Sequence, residues 1–416
     1  MGWFEKAKKE NSASYEADSP EKVLLLYSGG LDTSVLLKFI QEEYCVELFT
    51  LTVDLGQSID LKKVKEKALA LGAKKAFVID AKKEFAEQYI SKAIKANALY
   101  QGKYPLSTAI GRPLIAKLAV EIAEKEGIDT IAHGCTGKGN DQVRLEAGII
   151  SLNPKLKILA PVRDWNMARS NEIEYAKAKG IPVDESKAKP YSTDENMWGK
   201  SSECGVLEDP FAEPPENVFG LCTVPEKAPN KPEIVEIEFL EGIPVSLNGR
   251  GLPLHELVME LNGIAGKHGV GIIDHVEDRV MGLKSREVYE CPAAVTIIEA
   301  HKDLEKIVST VHENQFKELV DQKWAYLAYQ GLWFDQLMDS LNAFIETQNK
   351  KVCGAVKVKL YKGHALVVGR KSPFALYDKS LATYDIGQTF NQKASPGFIE
   401  LWSLQSKMAM QLKKVK

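Results

Sequence analysis

The chain has 416 residues, 44% hydrophobic and 27% charged, which suits two domains with cores of their own and does not suit a disordered polymer. A formal net charge of −3 gives no basic excess for gripping a phosphate backbone, so a nucleic-acid partner is disfavoured. The six cysteines, Cys45, Cys135, Cys204, Cys222, Cys291 and Cys353, form no CxxC pair and read as reduced cytosolic thiols, and no apolar run is long enough to span a membrane.

Residues 1–20 mix both charges around no apolar signal core and read as a solvated tail. From residue 23 to about 183, the β-rich runs "KVLLLYS", "VELFTLTVDLG", "KKAFVIDA", "IDTIAHGC" and "KLKILAPV" alternate with stretches of helix length. That rhythm predicts an α/β domain, 21–185, whose parallel sheet is covered on both faces. Its ligands belong at the carboxyl ends of the strands, where Ser28, Asp54, Asp80 and Gly134 fall.

After "KGIPVDESKAKPYS" the rhythm changes, and the Pro-rich "EDPFAEPPENVFGLCTVPEKAPNKPE" reads as a long ordered connection. Two-residue alternation in "EIVEIEFLEGIPVSLNG" and "GAVKVKLYKGHALVVGR", each broken by a Gly-containing turn, predicts two hairpins. "PLHELVMELNGIAGKHG" and residues 303–349 have helical spacing, so 186–385 reads as a second, α+β domain with antiparallel strands. The remainder, 386–416, contains "PGFIELWSLQSKMAMQLKKVK", with Phe398, Leu401, Trp402 and Leu404 on one stripe before a lysine-rich end. This helical arm buries its stripe either on its own domain or on a neighbouring subunit.

The first strand runs into Ser28-Gly29-Gly30 and then directly into a helix, as "LLLYSGGLDTSVLLKFI". Such a joint aims unpaired backbone N–H groups and the positive helix end at one spot, a cradle for phosphate. Gly29 and Gly30 clear the approach, and Ser28, Thr33 and Ser34 offer hydroxyls. Asp32 is repulsive to phosphate unless a cation lies between them, which makes Mg²⁺ its expected company. The loop lacks the spacing of a Walker A or GxGxxG motif and matches the SGGxD pattern of the PP-loop ATP pyrophosphatases.

A second glycine loop, "HGCTGKGNDQVR" at 133–144, again sits where a strand ends and a helix begins, and carries Thr136, Lys138, Asn140, Asp141, Gln142 and Arg144. His133 before it reads as a packed, hydrogen-bonded histidine. With "YSTDEN", "AGKHGVGIIDHVEDR", "GLKSREVYE" and "GRKSP", these motifs give the chain a resemblance to the argininosuccinate synthase family that extends over nearly everything after the tail.

The resemblance implies ATP-dependent joining of citrulline to aspartate, in which the ureido oxygen attacks the α-phosphate, pyrophosphate leaves, and the aspartate amine displaces AMP. It implies no covalent protein nucleophile; positioning falls to Asp32, Asp141 and Arg144. Leu26, Tyr27, Ser28, Gly29, Gly30, Leu31, Asp32, Thr33, Ser34, Val53 and Gly134 would line the ATP site. Thr136, Asn140 and Asp141 would receive aspartate. Tyr104, Asn140, Arg144, Ser192, Ser201, Glu277 and Tyr289 would receive citrulline, with Thr108 replacing a family serine at the position of Ala109. It further implies a cytoplasmic homotetramer. On the residues alone, Tyr104 and Tyr289 read as half-buried core aromatics rather than as ligand contacts, and Glu277, in the mixed-charge run "HVEDR", as a solvated side chain.

Overall fold

The computed structural model describes residues 20–165, 169–182, 191–384 and 390–414. The expected tail and the junctions at 185/186 and 385/386 lie outside those residues. The five apolar runs of the first half form the strands β1 (Lys22–Leu26), β2 (Glu47–Asp54), β3 (Lys75–Asp80), β4 (Thr130–Ala132) and β5 (Lys157–Leu159) of one parallel sheet, ordered β3-β2-β1-β4-β5. Both faces are covered: Val23 and Leu25 enter one core cluster while Leu24 between them enters the other. The longer helices between the strands are α1 (Leu31–Tyr44), α2 (Leu61–Ala70), α3 (Arg112–Glu126) and α4 (Asn140–Leu152), and α5 (Arg169–Ala178) follows β5.

The strand order places a switch point at β1. The chain leaves β1 toward β2 on one side and returns to β4 on the other, so the loops after β1 and β4 face each other across a crevice at the carboxyl edge. Those are the two glycine loops.

The second half holds two antiparallel sheets. The expected hairpins are β8 (Glu233–Leu240) with β9 (Ile243–Leu247), and β13 (Gly354–Tyr361) with β14 (His364–Lys371); β8 pairs with β13, and the short β10 (Arg250–Gly251) adds an edge. The other sheet, ordered β11-β12-β7-β6, is built from β6 (Ser192–Asn196), β7 (Gly199–Glu203), β11 (Ile272–Asp278) and β12 (Lys284–Glu290). Its strands are rich in charge because several carboxylates point inward: Glu277 and Glu290 are 1% exposed. Helices α6 (Leu254–Lys267), α7 (Pro292–Val308), α8 (Val311–Tyr329) and α9 (Gln336–Asn349) complete this half, α8 starting on a Thr310–Glu313 capping box.

The C-terminal arm is two helices, α10 (Ser395–Trp402) and α11 (Leu404–Lys413), where one was expected. Its stripe does not pack back on its own chain: Leu401 is 72% and Trp402 79% exposed.

Candidate active site

At the first glycine loop, Gly29 has φ +81°, and a Cβ there would meet Val64 of α2 at 2.8 Å. Gly30 caps α1 without a side-chain hydrogen bond, and its own N–H makes only a long 3.4 Å contact with Ser28 Oγ. Ser28 Oγ lies 3.1 Å from Thr33 Oγ1. Ser34 faces inward instead: buried, it donates to the Gly30 carbonyl at 2.6 Å and sits 3.1 Å from the Tyr27 hydroxyl. Tyr27 and Ser34 therefore brace the loop from behind, while Ser28 and Thr33 are on its accessible side. Leu26 ends β1, Leu31 and Asp32 open α1, and Val53 lies near the end of β2 beside them. Lys67, unmarked by any motif, reaches across from α2 and donates to the Gly29 carbonyl at 3.0 Å.

The second loop lies close by, since a Cβ on Gly134 would meet Leu36 of α1 at 2.8 Å. Thr136 is exposed on it, and α4 begins at Asn140 with no side-chain cap, so its first N–H groups also face the crevice. His133 is buried as expected: Nδ1 accepts from Cys135 N–H at 3.2 Å, which leaves Nε2 to donate to Glu146 at 2.9 Å.

Asp141 is gripped from two sides, by Arg112 at 2.8 Å and by Arg144 at 3.0 Å, and Asp194 of β6 also pairs with Arg112. Burial pushes the Asp141 carboxyl up, and the two guanidiniums outweigh it, holding the group well below the usual carboxylate range. Burial moves Asp194 the other way, above its ordinary value, against the pull of Arg112. Arg112 and Asp194 were not singled out from the sequence, although Asp194 lies within the motif "YSTDEN".

Past Asn140 the site becomes a tyrosine cage. Glu277 accepts from Tyr289 at 2.6 Å and from Tyr329 at the end of α8. Tyr329 accepts from Asn140 Nδ2 at 2.8 Å, and Asn140 Oδ1 accepts from the Val280 N–H at 2.8 Å. Tyr104 stacks on Tyr289 with centroids 3.9 Å apart, and Tyr100 stacks on Tyr329 at 3.5 Å. Thr108 hydrogen-bonds the Tyr104 hydroxyl through both its N–H, at 2.9 Å, and its side chain, at 2.8 Å. Glu277 is thus a buried acceptor and not a solvated surface group, because β11 turns it inward.

Arg144 Nη2 is buried with no hydrogen-bond partner among the described residues, although Nε donates to the Tyr329 carbonyl at 2.8 Å. An orphaned guanidinium donor beside a buried carboxylate cage fits an external carboxylate. Ser201 is opposite Tyr289 and Asp194 in the sheet register, at the rim of the cage; Ser192 is exposed, two residues before Asp194, and opposite Glu203.

Residues 22–182 match the family model described as the arginosuccinate synthase N-terminal HUP domain, and residues 191–409 match the arginosuccinate synthase C-terminal domain. A relative named argininosuccinate synthase from Pyrococcus furiosus is 58% identical over 388 residues, 93% of this chain and 94% of its own length. Those from Geobacillus kaustophilus and Halalkalibacterium halodurans are 55% and 54% identical, over 93% and 94% of the chain and 95% of each relative. The chain belongs to the argininosuccinate synthase family.

Argininosuccinate synthases are ATP-dependent ligases that condense citrulline with aspartate in arginine biosynthesis. The HUP assignment agrees with the parallel sheet and its two facing loops. Among the described residues no helix is long and apolar enough to cross a membrane.

Proposed function

We propose that the protein makes argininosuccinate, AMP and pyrophosphate from ATP, citrulline and aspartate through a citrullyl-AMP intermediate, in the cytoplasm. The observation that carries this reading is the meeting, at one helix start, of a carboxylate paired to two arginines (Asp141) with an arginine whose buried Nη2 has no partner among the described residues (Arg144), across a crevice from an uncapped PP-loop.

ATP lies with its pyrophosphate end on Ser28–Ser34 and its base toward Val53, and Gly134 admits it closely from the second loop. Aspartate takes Thr136, Asn140 and Asp141, the last receiving its ammonium in competition with Arg112. Citrulline takes Tyr104, Asn140, Glu277 and Tyr289, its α-carboxylate forked onto Arg144, with Ser192 and Ser201 closing over it and Thr108 acting through Tyr104. The protein's catalytic contribution is then to bring the ureido oxygen in line with the α-phosphate and to neutralise charge as pyrophosphate departs.

Mg²⁺ fits as an ion that arrives with the nucleotide. Asp32 is a single carboxylate in the first turn of α1, and among the described residues no cluster of three His, Cys, Asp or Glu side chains could hold a metal without phosphate oxygens. Bound there, it would supply neutralisation of the phosphate charge. In this reading residues 21–185 carry ATP, the aspartate contacts and half of the citrulline site, and 186–385 supply Ser192, Ser201, Glu277 and Tyr289 from the other side. Residues 386–416 lay the exposed stripe of Phe398, Leu401 and Trp402 on neighbouring copies in a homotetramer.

Pyrophosphate release measured with each component left out in turn tests the assignment. Release is expected only with ATP, citrulline, aspartate and Mg²⁺ together; equal release with ammonia or glutamine in place of aspartate would overturn it.

A further inference from the structure

The PP-loop is braced by a residue outside its motif. Lys67 lies at the end of the second turn of α2, 38 positions after Gly29, and its ammonium donates to the Gly29 carbonyl at 3.0 Å. Val64, one turn earlier on the same helix, closes on Gly29 so tightly that a Cβ there would come within 2.8 Å of it. The two residues dock α2 edge-on against the loop, and Lys67 has no carboxylate partner among the described residues.

The Gly29 carbonyl and the Gly30 N–H are opposite ends of one planar peptide, so a donor fixed on the oxygen fixes where the hydrogen points. That hydrogen is nearly uncommitted, with only the 3.4 Å contact to Ser28 Oγ, and it lies at the uncapped start of α1. A cation on the carbonyl oxygen also draws electron density along the peptide and makes its N–H a stronger donor. The positive charge is one peptide unit behind the place where an anion would bind. Burial draws the Lys67 ammonium below the ordinary lysine value, a cost that an incoming phosphate would relieve.

We propose that Lys67 is a positioning residue of the ATP site: by holding the Gly29 carbonyl it aims and polarises the Gly30 N–H toward the pyrophosphate end of ATP. The proposal rests on the functional reading above, which puts pyrophosphate in this loop.

The test compares wild type with Lys67→Met, which keeps the unbranched stem and loses the ammonium, with Lys67→Gln as a second uncharged variant and Lys67→Arg as the conservative one. KM for ATP, KM for citrulline, and product inhibition by inorganic pyrophosphate are measured, with melting temperature as the control for folding. Lys67→Met and Lys67→Gln are expected to raise KM for ATP and weaken pyrophosphate inhibition by about ten-fold, as for loss of one charge-assisted contact, with KM for citrulline unchanged. Lys67→Arg is expected to recover most of the loss. Pyrophosphate inhibition within about two-fold of wild type in both uncharged variants would overturn the proposal, as would equal losses in all three variants tracking a lower melting temperature. A wild-type protein that releases no pyrophosphate from ATP, citrulline and aspartate would instead sink the functional reading, a result visible before any variant is made.

Discussion

Arg144 Nε donates to the backbone carbonyl of Tyr329 at 2.8 Å while its guanidinium carbon lies 4.7 Å from the centre of the same residue's ring. One tyrosine thus holds an arginine by its main chain and by its π face, and its hydroxyl bridges Asn140 and Glu277. The chain after it is tied in as well, since a Cβ on Gly331 would meet Arg144 Cα at 2.6 Å. Tyr329→Phe keeps the carbonyl and the ring but leaves Asn140 and Glu277 each short of a buried partner. We expect KM for citrulline and aspartate to rise about ten-fold, the scale of one lost buried hydrogen bond, with KM for ATP unchanged. Steady-state kinetics with each substrate varied checks this; a change confined to ATP would contradict it.

Glu290 organises the Pro-rich connection. Its Oε1 accepts from three successive N–H groups, Gly220, Leu221 and Cys222, at 2.7 to 2.8 Å, and its Oε2 pairs with Lys200 at 2.8 Å, with the two side chains 1% and 7% exposed. Removing the carboxylate strands a buried ammonium and three donors together. Glu290→Ala is expected to cost about 3–5 kcal/mol, and Glu290→Gln less because the amide oxygen still accepts. Denaturant midpoints of the two variants check the order.

The arm exposes Phe398 at 61%, Leu401 at 72% and Trp402 at 79%, with Phe398 and Trp402 stacked 5.4 Å apart. A second copy would bury this stripe. A chain ending at residue 389 is therefore expected to lose its highest oligomer while keeping the far-ultraviolet dichroism of the remaining elements. Light scattering of both chains decides it, and an unchanged mass would remove the arm from assembly.

The α/β rhythm and the two glycine loops were legible because parallel strands buried on both faces are near-continuous apolar runs and phosphate loops need glycine at fixed places. The four-stranded sheet was not foreseen as a sheet: "STDEN", "GKSSE" and "HVED" look solvent-facing, and only the fold turns Glu277 and Glu290 inward. Arg112, Asp194 and Tyr329 escaped notice because their meaning is relational. Arg112 matters as the partner of Asp141, 29 positions away, and Tyr329 as the partner of Asn140, 189 away, separations that no local pattern encodes. The sequence likewise left open where the arm packs, and on the single chain its stripe is exposed.

A buried histidine gives the protein a pH dependence separate from its site. His301 on α7 is fully buried, with Nδ1 2.6 Å from Asn97 Oδ1 and Nε2 2.7 Å from Asn349 Oδ1. Burial lowers its pKa from 6.5 to about 4, Glu305 opposing the shift and Lys317 and Lys95 assisting it. Between those two values the unfolded chain carries a proton that the folded chain refuses, so stability is full above pH 6.5 and falls as the pH drops toward 4. The complete loss is about 3 kcal/mol for a shift of this size. Wild type should therefore lose ground to His301→Gln in denaturant midpoints taken at decreasing pH across that window, with the gap constant above it. The opposite trend, wild type gaining as the pH falls, would mean that the ring takes its second proton in the folded state and donates to both amide oxygens, with Glu305 outweighing the desolvation of the imidazolium.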